Sequence, residues 1–167
     1  MKIYNKKDTR RIGFDIDNVL ADFVGRYCDL FNLDLPLEWD FDSKFPARMA
    51  AICEIRQFWI NLKVKEDPKD FKFKPVCYIT DRVIPIAWTK EWLKKNGFPN
   101  APIYTAKHGK SKSDIAVEKK LDVFVDDNYE HFTKINKAGI KCYLYDCTHN
   151  RQHNVGNKRI FKLSDIL

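Results

Sequence analysis

Short apolar runs alternate with amphipathic ones along most of this chain, and that alternation predicts its architecture. Residues 11–16 (RIGFDI), 76–80 (VCYIT), 103–105, 123–125 (VFV) and 142–145 (CYLY) are short and rich in β-branched and aromatic side chains. Such runs suit strands buried on both faces of a parallel sheet. Between them, residues 84–96 place Ile86, Trp88, Trp92 and Leu93 near helical spacing and close on Asn96-Gly97, a helix stop. Residues 113–120 open on Ser113 as a candidate N-cap, and residues 130–138 end at Gly139. A β/α alternation of this kind predicts an α/β fold, a doubly wound parallel sheet with right-handed crossovers. Ligands of such sheets sit at the carboxyl ends of the strands.

One segment breaks the rhythm. Residues 19–74 are far longer than an ordinary crossover and carry Phe23, Tyr27, Phe31, Trp39, Phe41, Phe45, Phe58 and Trp59. The reading is a small, mostly helical cap inserted after the first strand, dividing the chain into a core of residues 1–18 and 75–167 and a cap of residues 19–74. Most of these aromatics have a simpler role available, filling the core of the cap itself.

Composition narrows the class without naming a function. A chain of 167 residues with 44% hydrophobic and 32% charged residues can bury a full core and lacks the signature of disorder. The basic, polar start and the absence of any run of roughly 20 apolar residues predict a cytoplasmic protein with no membrane partner. Five cysteines, Cys28, Cys53, Cys77, Cys142 and Cys147, at irregular spacings read as reduced thiols, with Cys77 in the core of a strand. The net charge of +7, with basic clusters at Lys6, Lys7, Arg10, Arg11 and at Lys107, Lys110, Lys112, favours anionic ligands or simply a solvated surface.

The candidate chemistry lies at strand ends. Asp15 and Asp17 close the first apolar run in the string GFDIDNVLADF, and Asp126-Asp127 close a later one in DVFVDDN. A lone aspartate in such a place is commonly a turn or helix cap. Two acidic pairs converging on one sheet edge form an oxygen-rich site suited to Mg²⁺, a spacing consistent with four carboxylates around one ion. Thr80 ends another strand, with Asp81-Arg82 after it, and Lys112 precedes a predicted helix start, where a phosphate is well placed. Lys110 is nearly as good a candidate as Lys112. Cys142, Cys147, His149 and His153 have the ligand types of a zinc site, but their spacing is very short for one, and Cys142 reads better as a core residue.

The order Asp15-x-Asp17, Thr80, a loop lysine, then Asp126-Asp127, each after its own strand, resembles the four motifs of the haloacid dehalogenase superfamily over nearly the whole chain. The resemblance implies Asp15 as a nucleophile forming an aspartyl-phosphate and Asp17 as the general acid and base. It implies Mg²⁺ held by Asp15, the backbone carbonyl of Asp17 and Asp126 or Asp127, with Thr80 and Lys112 gripping the phosphoryl oxygens and Arg82 and Lys110 as further substrate contacts. Dehalogenases resemble this pattern without the second aspartate, so Asp17 favours a phosphatase. More narrowly, GFDIDNVLADF and YLYDCTHNR are similar to segments of the 5'(3')-deoxyribonucleotidases and their bacterial and phage relatives. That resemblance implies a nucleoside monophosphate as substrate, its base stacked on cap aromatics such as Phe23, Phe45 or Trp59. Asn18 stands where that family usually has glycine, and Cys147-Thr148-His149 replaces a proline-containing turn. A phosphatase of nucleic-acid 3' ends and a non-catalytic phosphate-binding module are the alternative readings.

Overall fold

The computed structural model describes residues 9–71, 74–107 and 109–166. Lys6 and Lys7 of the first basic cluster lie outside the described residues. Six strands, β1 (Ile12–Phe14), β2 (Cys77–Thr80), β3 (Ile103–Thr105), β4 (Val123–Asp126), β5 (Lys141–Tyr145) and β6 (Arg159–Ile160), form one sheet in the order β3-β2-β1-β4-β5-β6. Every pairing is parallel. The five apolar runs are therefore strands, and β6, with two residues, is too short to leave a pattern.

Period-two alternation assigns the two faces. Ile12, Phe14, Tyr78, Val123, Val125, Tyr143 and Tyr145 point into one core, which they share with Trp92 and Leu93 of α4 (Ile86–Lys95). Cys77, Ile79, Phe124, Cys142 and Leu144 point into the other, against Ile115 and Ala116 of α5 (Lys112–Glu118) and Phe132 and Ile135 of α6 (Tyr129–Lys137). Helices thus cover both faces, as a doubly wound sheet requires. Gly13 lets this packing close: a Cβ there would stand 2.6 Å from Leu121 Cδ1 and 3.1 Å from the Phe124 ring.

The helix ends follow their sequence signals with one correction. Asn96 ends α4, and Gly97, in the left-handed region at φ 77°, turns the chain away. Helix α5 starts earlier than its pattern suggests, because Ser111 and not Ser113 is the N-cap. The Ser111 hydroxyl accepts from the Asp114 amide (3.2 Å), and the Asp114 carboxylate accepts from the Ser111 amide (2.8 Å). Asp114 stands three residues after Ser111, the spacing this reciprocal cap needs.

Among the described residues, the 19–74 segment carries three helices, α1 (Phe23–Phe31), α2 (Phe45–Cys53) and α3 (Arg56–Ile60), and one 3₁₀ turn, joined by irregular loops. The two ends of the segment are pinned together, with the Asp22 amide donating to Lys63 O (2.9 Å) and the Lys65 amide to Leu20 O (2.7 Å). Phe23 stacks on Trp59 at 5.6 Å between centroids, and Tyr27 packs among Phe31, Phe41 and Phe45. Among the described residues no helix is long and apolar enough to cross a membrane.

Candidate active site

The strand order reverses between β1 and β4, where the crossovers leave in opposite directions and a crevice opens above the carboxyl ends. Asp15 follows β1 directly, its amide still donating to Val125 O of β4 (2.9 Å). Asp126 is the last residue of β4, and Asp127 comes next. Carboxylate oxygens of Asp15, Asp126 and Asp127, all buried, lie within 4.8 Å of one another. Lys112, in the first turn of α5, reaches them from the side, its Nζ donating to Asp15 Oδ2 (2.5 Å) and Asp126 Oδ2 (3.0 Å), with Asp81 Oδ2 at 3.5 Å.

Three buried carboxylates therefore face one buried ammonium. Burial pushes the Asp15 carboxyl well above its ordinary range, Lys112 pulls it down, and Asp126, Asp127 and Asp17 push it up again. Burial also acts to raise Asp126, but Lys112 and then His131 hold it below its ordinary value. For Lys112, burial acts downward and is outweighed by Asp126, Asp15 and Asp81, so the ammonium stays firmly charged. The set carries more negative charge than its own lysine offsets, and its donors are all oxygen. A hard divalent cation such as Mg²⁺ fits both conditions.

Asp17 does not join this trio, contrary to the expectation of four carboxylates around one ion. Arg82 takes its carboxylate as a fork, Nε to Oδ2 at 2.8 Å and Nη2 to Oδ1 at 2.7 Å. Arg82, expected as a further substrate contact, is thereby occupied by a neighbouring side chain. Thr80 ends β2, buried, and its Oγ1 accepts from the Arg82 amide (3.2 Å). Lys110 is not brought to the site at all. It is paired at the surface with Glu118 (2.7 Å), and the cap at Ser111 leaves it outside the helix.

Above the carboxylates lies a cleft of about 210 Å³. Asp15, Asp17, Arg82, Lys112 and Asp127 form its polar floor, and Phe23, Trp39, Phe45, Met49 and Trp59, all from residues 19–74, form its wall. Phe23 and Phe45, expected as substrate contacts, thus both line this cleft. A roomier groove of about 320 Å³ runs past Asp22, Arg26, Asp29 and Lys63, but no comparable group of buried ionisable side chains converges there.

Three residues take places at the site that the sequence did not assign to them. Asn18 adopts the left-handed region at φ 60°, which asparagine tolerates better than other non-glycine residues. It uses the position to donate from Nδ2 to Asp127 Oδ2 (3.1 Å) while its Oδ1 accepts from the Val24 amide (2.9 Å). His149 shares a hydrogen bond with the same Asp127 oxygen (2.8 Å), and Trp39 stands edge-on to its ring at 5.0 Å. The two departures from the nucleotidase pattern thus meet at one carboxylate oxygen. His131, in the first turn of α6, places Nδ1 3.4 Å from Asp126 Oδ2 and Nε2 3.5 Å from Asp81 Oδ2. The available signal was its place just after a strand-terminal acidic pair, where the following helix turns its first residues toward the crevice.

The zinc set does not assemble. Cys142 faces the other core of the sheet, and His153 stacks on Tyr129 at 3.6 Å. Cys147, His149 and Asp127 do come within 4.8 Å of one another. Asp127 and His149 already satisfy each other, however, and Lys65 Nζ lies 3.6 Å from the Cys147 sulfur, a cation where a metal would need none. Burial pushes the Cys147 thiol up to about 12. The group reads as the support of Asp127.

No family model and no curated protein sequence matches the chain. Solved structures do. A crystal structure described as a dehalogenase is similar over 95% of this chain and 96% of its own, with a TM-score of 0.52 at 13% identity. A haloacid dehalogenase superfamily hydrolase from Ehrlichia chaffeensis covers 81% of this chain and 87% of its own (TM-score 0.44, 12% identity). A hydrolase of the haloacid dehalogenase-like family from Streptococcus pneumoniae covers 82% and 84% (TM-score 0.46, 11% identity). The first of these likenesses bears on the fold alone: over nearly its whole length the chain shares the α/β fold of that dehalogenase, here an all-parallel six-stranded sheet.

Proposed function

We propose that this chain is a Mg²⁺-dependent phosphomonoesterase that works through an aspartyl-phosphate on Asp15, with a nucleoside monophosphate as substrate. The observation that carries the reading is the division of labour among four carboxylates. Asp15, Asp126 and Asp127 form a buried oxygen cluster, the first two bound by Lys112, while Asp17, separated from Asp15 by one residue, stands apart on Arg82. A carboxylate nucleophile flanked by a second, separately held carboxylate is what phosphoryl transfer from an ester needs and displacement of a halide does not.

In this reading Asp15, Asp126 and Asp127 would hold the cation, which when bound neutralises phosphoryl charge that otherwise repels the nucleophile. Lys112 orients and neutralises phosphoryl oxygens, with Thr80 at the end of β2 supporting the same loop. Asp17 protonates the leaving oxygen and then activates water. Phe45, the part-buried ring of the wall beside the packed pair Phe23 and Trp59, supports a flat apolar group such as a base, because aromatic faces stack on any base.

The test is phosphate release with Mg²⁺ from deoxy- and ribonucleoside monophosphates, a 3'-phosphorylated oligonucleotide and a sugar phosphate, with halide release from haloacetate as a further arm. Mononucleotides are expected to be the best substrates, with turnover abolished by EDTA and lowered by at least about 10³-fold in Asp15→Asn. No Mg²⁺-dependent phosphate release from any ester would sink the enzyme assignment. Preference for sugar phosphates would remove only the nucleotide.

A further inference from the structure

Arg82 lies on the cleft floor, but its guanidinium hydrogen bonds go to side chains already around it. Its side chain is 2% exposed. Nε and Nη2 bind both oxygens of Asp17, and Nη1 donates to Thr89 Oγ1 of α4 (3.3 Å). The guanidinium lies 5.1 Å from the Trp59 ring centroid and 5.9 Å from that of Trp92. Both indoles are themselves fixed, Trp59 Nε1 donating to Ile52 O (2.9 Å) and Trp92 Nε1 to Leu62 O (2.8 Å). The Arg82 amide is bonded to Thr80 Oγ1, so its backbone is held at the end of β2 as well. A planar fork set in such a cage can hold a carboxylate in one orientation, which a flexible ammonium cannot.

We propose that Arg82 is a positioning residue for proton transfer, presenting the carboxyl group of Asp17 to the leaving oxygen without contacting the phosphoryl group itself. The inference rests on the phosphatase reading above. In the first half-reaction an Asp15 oxygen bonds to phosphorus, the bond from phosphorus to the ester oxygen breaks, and that oxygen takes the proton of Asp17. In the second, Asp17 takes a proton from water, the water oxygen bonds to phosphorus, and the Asp15–phosphorus bond breaks to leave inorganic phosphate. Guanidinium carries only donors. The Asp17 oxygen that bears the proton therefore leaves the fork, and the other stays as the pivot.

Arg82→Lys, assayed on two esters, tests this. A nucleoside 5'-monophosphate has an alkoxide leaving group that needs the acid, whereas p-nitrophenyl phosphate has one that departs almost without it. The value of kcat/KM reports the first half-reaction, so it should fall about 10²-fold for the nucleotide and only marginally for the aryl ester. Because both esters are measured on one preparation, any loss of folded protein cancels in their ratio. A burst of p-nitrophenol before steady turnover is expected too, since water activation uses the same carboxylate. Equal falls on both esters would mean a phosphate contact or a merely structural residue, and would overturn the proposal while leaving the phosphatase reading intact. Wild-type protein that turns over neither ester would overturn both.

Discussion

On the floor of the cleft every carboxylate has a partner of opposite charge or a hydrogen-bond donor, whereas the wall over it is held by rings. Asp15 and Asp126 share Lys112, Asp17 has Arg82, and Asp127 has Asn18 and His149. Across from them Phe23 packs on Trp59 and Phe58, while Phe45 and Trp39 are partly open to the cleft. Hydrogen-bonded charge fixes positions to fractions of an ångström and leaves little room for substitution. Ring packing fixes shape more loosely and lets a side chain change with a graded cost. The floor is accordingly the place for a reaction that needs aligned atoms, and the wall the place where one ligand is told from another.

The sharpest way to break this contrast is to remove the cation from the floor. Lys112→Ala leaves Asp15 and Asp126 facing each other in a buried site, and stripping one partner from a buried ionic group typically costs about 3–5 kcal/mol. Urea unfolding in EDTA should register a loss of that order, and turnover should disappear. Added Mg²⁺ should restore part of the stability, since it supplies the charge that the lysine did. Lys110→Ala, two residues away and paired only at the surface, should change neither quantity measurably. Equal effects of the two would show that the floor is not held by charge.

The contrast also explains what could be read in advance. The strands and the acidic pairs were legible because a parallel sheet writes itself as short apolar runs and places its ligands at their ends. The lysine could not be chosen between Lys110 and Lys112, because the choice turns on whether Ser111 or Ser113 caps α5, and both have the right side chain. Asn18 was visible only as a departure from a pattern, and His149 as that and as a member of a zinc set that does not assemble. Their purpose depends on a long-range meeting at Asp127, separated from Asn18 by 109 residues and from His149 by 22. Arg82 was marked as a further substrate contact from its place just after a strand end. Its occupation by Asp17 is a tertiary fact. The wall was legible only as a list of aromatics in a long insertion, since irregular loops carry no period by which to phase them.

A milder cut falls where the floor is braced. His149→Ala removes one of the two side-chain donors from Asp127 Oδ2 while leaving Asn18 in place. Outer partners of this kind commonly alter metal affinity by about 10–100-fold. Isothermal titration of the variant with Mg²⁺ should show weaker binding within that range, with kcat at saturating Mg²⁺ nearly preserved. An unchanged affinity would mean that Asn18 alone orients the carboxylate.

The smallest effect belongs to the wall. Phe45 is only partly buried and faces both the cleft and Tyr27, so Phe45→Ala opens no deep cavity, unlike a truncation of Trp59, which is 1% exposed. Base stacking on an aromatic face contributes about 1–3 kcal/mol. KM for a nucleoside monophosphate should therefore rise by about tenfold or somewhat more, with kcat little changed, because the lost contact is made equally in the ground state and the transition state. With p-nitrophenyl phosphate, whose ring is smaller and sits on the leaving oxygen, the rise should be less. A fall in kcat with KM constant would reverse the assignment, since it would place Phe45 among the groups that align the reacting atoms and erase the distinction between wall and floor.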